Sequence, residues 1–264
     1  HQFHGASPDG RHLAVGWESS GRPVERGAFL LDLETGDRRA LQLNNSGSFS
    51  PDGRTLVVGS YSGSPGLLTE IVEYDLASGG RVTVASSPQW DWLPTYSRDG
   101  AFILFNSFRS GGSDMYRVDR GSGDLTRLTD DPAYEAHGQM FGDASSVFFH
   151  RQVAGADYDV MRLTVATGVT EPVARTSREE SYPAMSPDGA LLAFSSDRDA
   201  EVGHTDIYLM TPDGGGIRRL TSHPAKDAYA SWSPDGRLLY YNSERDGRTA
   251  IYRMEIVNGD CRRL

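Results

Sequence analysis

The chain has 264 residues, 38% hydrophobic and 23% charged, with 30 glycines, 13 prolines and a net charge of −10. That balance excludes general affinity for nucleic acid or an anionic membrane, where a basic face supplies the binding energy. No run approaches the ~18 apolar residues of a membrane-spanning helix, and Cys261, the only cysteine, excludes an intramolecular disulfide.

The opening residues, His1-Gln2-Phe3-His4, are neither an initiator methionine nor a signal peptide, as in a processed chain or an excised piece. Ser7-Pro8-Asp9-Gly10 follows, the first of a series that returns at Ser50 to Gly53, Ser186 to Gly189 and Ser233 to Gly236. Ser97-Arg98-Asp99-Gly100 has lost only its proline, and Phe141-Gly142-Asp143-Ala144 is a decayed copy between them. Proline presets φ at the first central position of a turn, aspartate suits the second, and glycine supplies the positive φ that follows. Each copy therefore predicts a hairpin tip. At the decayed copy the spacing predicts a hairpin of a different turn type, with Gly142 or Asp143 taking the unusual dihedrals.

Each tip lies between two strands, as Tyr229 to Ser233 and Leu238 to Asn242 show. A third apolar run comes next: Phe29 to Leu31, Ile71 to Tyr74, Met115 to Val118, Val160 to Leu163, Ile207 to Met210 and Ile251 to Met254. A glycine-bearing turn then leads to a short last strand, such as Arg218 to Thr221. Four short strands per repeat of ~45 residues, six times over, predict an all-β fold, a six-bladed β-propeller of four antiparallel strands per blade. One propeller spans residues 1–264, with blades at about 1–43, 44–87, 88–133, 134–178, 179–225 and 226–264. The chain opens on an innermost strand and ends on an outermost one. The ring is therefore expected to close without a shared "velcro" blade, leaving the seam between blades one and six the least protected.

The stretch Ser231 to Gly247, "SWSPDGRLLYYNSERDG", with Asp206 to Thr221, "DIYLMTPDGGGIRRLT", resembles the PD40 repeats of TolB-like propellers over the whole chain. The resemblance implies an extracytoplasmic setting, periplasmic or extracellular. It also implies one of three roles: a periplasmic protein-binding module, a propeller in front of a serine peptidase, or the scaffold of an oligosaccharide lyase with histidine-bound metal. No α/β domain is expected ahead of the first blade. The nearest thing to a peptidase elbow, Gly59 to Gly63, carries tyrosine at its centre.

Propellers bind at the mouth of the central channel. Eight residues before each anchor aspartate stand His1, Asn44, Asp91, Glu135, Glu180 and Asp227, four of them acidic, with Trp90, Trp92, Tyr134, His137, Glu179, Tyr182 and Tyr229 nearby. One reading is an acidic, aromatic-rimmed funnel; the other is that the carboxylates pair with loop amides or neighbouring arginines. The candidate ligand-binding residues are Trp90, Asp91, Trp92, Glu135, His137, Glu180, Tyr182, Asp227 and Tyr229. Arg109, Arg198 and Arg245 recur ten residues after their anchors and are expected to bond Asp114 and Asp206 where those exist, fixing a loop. Strand alternation predicts His137 opposite Phe149 and His150 opposite Ala136, on opposite faces, so that the two histidines cannot share a metal unless a bulge intervenes. Cys261, on the outermost strand, is remote from any pocket.

The function expected is a monomeric binding module for a protein or small-molecule partner at the channel mouth, with no cofactor and no metal. The alternatives are a metal-assisted sugar lyase or hydrolase working in the channel, the propeller of a peptidase whose catalytic domain lies elsewhere, or a scaffold.

Overall fold

The computed structural model describes residues 2–18, 26–61, 69–141, 144–154, 157–257 and 260–263. Among them every regular element is a strand, gathered into six four-stranded antiparallel sheets, each of strands consecutive in the chain. Blade three shows the plan. Its innermost strand Asp91–Tyr96 pairs with Phe102–Ser107, then Asp114–Asp119, with Leu125–Arg127 at the outer edge. The ring runs from blade one, whose innermost strand is Gln2–Ala6, to blade six, whose outermost strand is Asp260–Arg263. It is the six-bladed propeller expected from the repeats. Among the described residues no strand joins a neighbouring blade's sheet, so blades one and six meet by packing.

The repeated turn works as a small clamp. In the second copy Ser50 Oγ donates to Asp52 Oδ1 at 2.6 Å, and that carboxylate also accepts the Arg54 amide at 3.1 Å. Ser50 Oγ in turn accepts the Thr55 amide at 3.0 Å, locking the next strand to the turn. These bonds hold the Asp52 carboxyl below its ordinary range. Gly10 supplies the left-handed residue of the first copy, with φ of 72°. The fourth tip is a hairpin, as expected, but its described left-handed residue is Ala144 (φ 64°). Ala144 N donates to Phe141 O at 2.8 Å, the closing bond that the glycines make elsewhere, so the expectation of a different turn is corrected to this extent. The dihedrals expected of Gly142 and Asp143 fall outside the described residues.

Second strands are apolar on both faces because each blade packs against two others. In blade two, Leu56 joins Ala14, Leu30 and Phe49 toward blade one, while its neighbour Val57 joins Ile103 and Phe105 toward blade three. Leu104 and Ile103, then Phe149 and Phe148, repeat the alternation around the ring. Among the described residues, the cluster at the seam between blades six and one has three buried members, Leu13, Val15 and Tyr240, against seven to nine in the other five, with side chains such as Phe29, Leu31 and Leu238 partly buried against it. Segments that bury little apolar surface open most readily. Amide exchange should therefore be faster at Leu13 to Val15 and Tyr240 than at Ile103 to Phe105. Equal protection at the two seams would overturn that expectation.

Candidate functional site

The innermost strands do not run straight. In blades three to six the pairing with the second strand slips by one residue, at a bulge. The bulged residues are Leu93, His137, Tyr182 and Tyr229, each with φ between 50° and 59°. All four stand six residues before their anchor aspartates. A left-handed conformation costs a non-glycine residue roughly 1–2 kcal/mol, and bulges re-aim side chains beside functional sites. Here all four residues line one cavity of about 410 Å³ in the central channel.

That cavity has two ends. At the turn end stand Pro8, Pro51, Pro187 and Pro234, the prolines of the repeated motif. Arg98, which replaces the fifth proline, is the only charged side chain in the described lining, and its guanidinium donates to the Pro187 carbonyl oxygen two blades away. Deeper in, Tyr229 Oη donates to Tyr182 Oη at 3.1 Å, with the two rings 4.0 Å apart. His137 stands edge-on to Tyr182, with ring centroids 4.7 Å apart.

The same bulge corrects the expected separation of the two histidines. Ala136 does pair with His150, but His137 sits in the bulge, so strict alternation fails and the imidazoles lie 4.9 Å apart. His150 is buried, and its Nδ1 accepts the Tyr182 amide of the next blade at 3.2 Å, which leaves the proton of the neutral ring on Nε2. Burial pulls its pKa down to about 3. From His150 an aromatic run continues through Tyr158 (4.8 Å), Tyr134 (6.3 Å from Tyr158) and Trp92 (6.0 Å from Tyr134). Burial pushes the phenols of Tyr182, Tyr134 and Tyr158 upward, so all three are neutral donors. Among the described residues no group of three or more His, Cys, Asp or Glu side chains is placed to hold a metal ion.

The four predicted carboxylates are elsewhere. Asp91, Glu135, Glu180 and Asp227 are wholly buried, each the first residue of its innermost strand. Each is ion-paired, with Arg109 (3.0 Å), Arg151 (2.6 Å), Arg198 (3.1 Å) and Arg245 (2.9 Å) respectively. The pairing expected for the arginines is thus corrected. They reach back across the second strand to the first, and Asp114 and Asp206 bond Arg127 and Arg219 of the last strand instead. Three of the guanidiniums also donate from Nε to a serine, Ser107, Ser196 or Ser243, and all four lie over aromatic rings. The unit is a repeated strut. Burial raises the Glu135 carboxyl against the pull of Arg151.

Of the predicted ligand-binding residues, His137, Tyr182 and Tyr229 therefore share the channel cavity. Trp92 lines a neighbouring hollow, and Trp90 is exposed at the surface, edge-on to Tyr61. Sequence reasoning missed Leu93, Arg98 and His150 as members of the cluster. Arg98 was legible as the missing proline of the third motif. The placement of His150 was not, because no glycine marks the bulge at His137.

The profile of the TolB beta propeller domain (PD40) matches residues 5–201 and 158–264. A Tol-Pal system protein TolB from Anaeromyxobacter dehalogenans is 29% identical over 158 residues, 60% of this chain and 25% of that one. The crystal structure of TolB from Acinetobacter baumannii superposes with a TM-score of 0.72 at 26% identity, covering 88% of this chain and 57% of that one. An oligogalacturonate lyase solved in complex with manganese shares the fold, with a TM-score of 0.67 at 19% identity over 98% of this chain and 75% of that one. The chain spans less than half the length of the first curated relatives it matches. No described helix is long and apolar enough to cross a membrane. With the profile covering nearly all of its residues, the chain belongs to the TolB beta propeller family.

Proposed function

We propose that this propeller is a binding module that receives a protein or small-molecule partner in its channel, in a periplasmic or extracellular compartment and as a single copy. The observation that carries the reading is the set of left-handed bulges at Leu93, His137, Tyr182 and Tyr229. Four strained non-glycine residues at one repeat position, all facing one cavity, mark backbone strain kept for what the side chains do. The lining joins neutral tyrosine and histidine to proline and alanine, with Arg98 its only described charge. It therefore suits a partner with a largely apolar body and a few hydrogen-bonding groups, carrying at most an anionic group at the turn end. The buried struts beside it hold the ring in shape and leave the acidic funnel without free carboxylates. The compartment follows the TolB resemblance, and the net charge of −10 argues against nucleic acid as the partner.

A thermal-shift screen of short peptides and small molecules tests this. A ligand of the folded state raises the midpoint by mass action. Affinity for such a ligand should fall about tenfold or more in Tyr182→Ala and Tyr229→Ala, since each removes one well-formed interaction. Leu93→Ala, on the opposite side of the channel, should weaken it as well. Ligands that bind all three variants as tightly as the parent would show that the channel is not the site.

A further inference from the structure

Two residues past the bulges the innermost strands carry a second level of side chains. It consists of Gly5, Ser48, Thr95, Gln139, Ala184 and Ser231, each four residues before an anchor aspartate. All are small except Gln139 of blade four. Gln139 lines the channel cavity together with Gly5, Thr95, Ala184 and Ser231.

The backbone around the bulge aims it there. Gly138 lies so close to blade three that a Cβ would come 2.7 Å from Leu104 Cδ2 and 2.8 Å from Met115 Sδ. With that residue pressed outward, His137 and Gln139 on either side of it both face the cavity. The Gln139 carboxamide makes no hydrogen bond among the described residues. The side chain is only half-buried, and its polar atoms are not sealed from the cavity. In the free protein water can serve it. A partner that fills the channel expels that water, and must then replace its bonds or lose affinity.

We propose, taking the channel as the binding site, that Gln139 is its specificity-determining residue and that the group it takes is an amide. The amide is primary or cyclic, with N–H and C=O on one edge. A carboxamide holds donors on Nε2 and an acceptor on Oε1 side by side. The partner's N–H donates to Oε1, and its C=O accepts from Nε2. A carboxylate would satisfy Nε2 and oppose Oε1, and an ammonium group would do the reverse. The hydroxyls of Thr95 and Ser231 can each donate or accept, so they impose no such choice. Tyr182, Tyr229 and the tip prolines line the same cavity and suit an apolar body on the amide. Such a group can come from a small heterocycle or from the side-chain carboxamide of a protein partner.

Calorimetric titration of the whole chain with matched pairs tests this. Isocarbostyril carries a lactam N–H, and isocoumarin has the same shape with oxygen in its place. Benzamide and methyl benzoate form a second pair. For a protein source, a blocked Gly-Gln-Gly peptide is set against blocked Gly-Met-Gly. At least one amide should bind saturably, about tenfold or more tighter than its counterpart. In Gln139→Met, which keeps the stem, that preference should vanish and the amide's affinity should fall about tenfold or more. The thermal midpoint of Gln139→Met should be unchanged or higher, because the carboxamide has no described partner to lose. Binding of isocarbostyril or benzamide identifies a small-molecule source, and binding of the glutamine peptide alone identifies a protein. No binding by any amide overturns the proposal, as does a preference that survives Gln139→Met. A clear fall in the midpoint of Gln139→Met would give the side chain a structural role and overturn it too. Tyr182→Ala separates the two readings. Amide and counterpart that bind alike, both weakened in Tyr182→Ala, leave the channel as the site and remove the amide preference. Binding that neither Tyr182→Ala nor Gln139→Met weakens lies outside the channel and removes both.

Discussion

Replacing Arg245 by methionine should destabilise the propeller by about 3–5 kcal/mol, the usual cost of leaving one partner of a buried ion pair uncompensated. Asp227 is wholly buried, and the Arg245 side chain is 7% exposed. The Arg245 guanidinium reaches both carboxylate oxygens of Asp227, at 3.1 and 2.9 Å, donates to Ser243 Oγ at 2.7 Å and lies 4.5 Å over the Tyr252 ring. Methionine keeps much of the apolar stem, so the loss measures the stranded carboxylate rather than a cavity. Two comparisons make the result readable in urea titrations. Arg162→Met removes a surface pair with Glu171, whose partners are 33% and 50% exposed, and should cost no more than about 1 kcal/mol. The double variant Asp227→Leu with Arg245→Met should recover most of the loss, because hydrophobic replacements of a buried pair are often neutral. A single Arg245 variant no less stable than the Arg162 variant would mean that water reaches Asp227 and that the strut is ornamental.

This strut also shows where sequence reading stops. The fold was legible because its signal is repeated. The serine and aspartate of five of the six tips form one hydrogen-bonded clamp closed by the glycine, and the third apolar runs all fall in strands, as Met115 to Val118 does within Asp114–Asp119. Partners across a blade were less legible. Arg109 is five residues from Asp114 in sequence yet bonds Asp91, eighteen residues back, because the second strand carries it beside the start of the first. Period-two alternation placed His150 opposite Ala136 correctly, yet it separated His137 from His150. Nothing in "EAHGQM" marks histidine rather than the following glycine as the left-handed residue. The channel cluster depends on that bulge. Its tyrosines and His137 could be placed together at the channel mouth from the sequence, but the approach of His150 to them could not.

The same cluster should make the protein sensitive to mild acid. His150 is held neutral, its pKa drawn by burial to about 3, whereas in the unfolded chain it titrates near 6.5. Below pH 6.5 the unfolded state binds a proton that the folded state refuses, so stability falls as pH falls, and the loss continues until the folded pKa is reached. The slope is about 1.4 kcal/mol per pH unit, or roughly 2–3 kcal/mol between pH 6.5 and 4.5. Other groups act outside this window or against it. The turn aspartates, Asp9 and Asp52 among them, have lowered folded pKa values, so their contribution is lost only as pH drops through and below the ordinary range near 3.8. Glu135, raised by burial, favours the folded state as it protonates and so opposes the trend. His150→Gln carries no titrating ring and can still offer an acceptor to the Tyr182 amide. Its urea midpoint should be nearly flat from pH 6.5 to 4.5 while that of the parent falls. Protonation would place a charge on a ring whose Nδ1 faces an amide N–H at 3.2 Å and whose centroid is 4.9 Å from that of His137. The acid-sensitive part of the fold is therefore the junction of blades four and five at the channel. A parent whose stability does not change over this range, or a glutamine variant with the same slope, would show that His150 is hydrated in solution and that the cluster is more open than its packing implies.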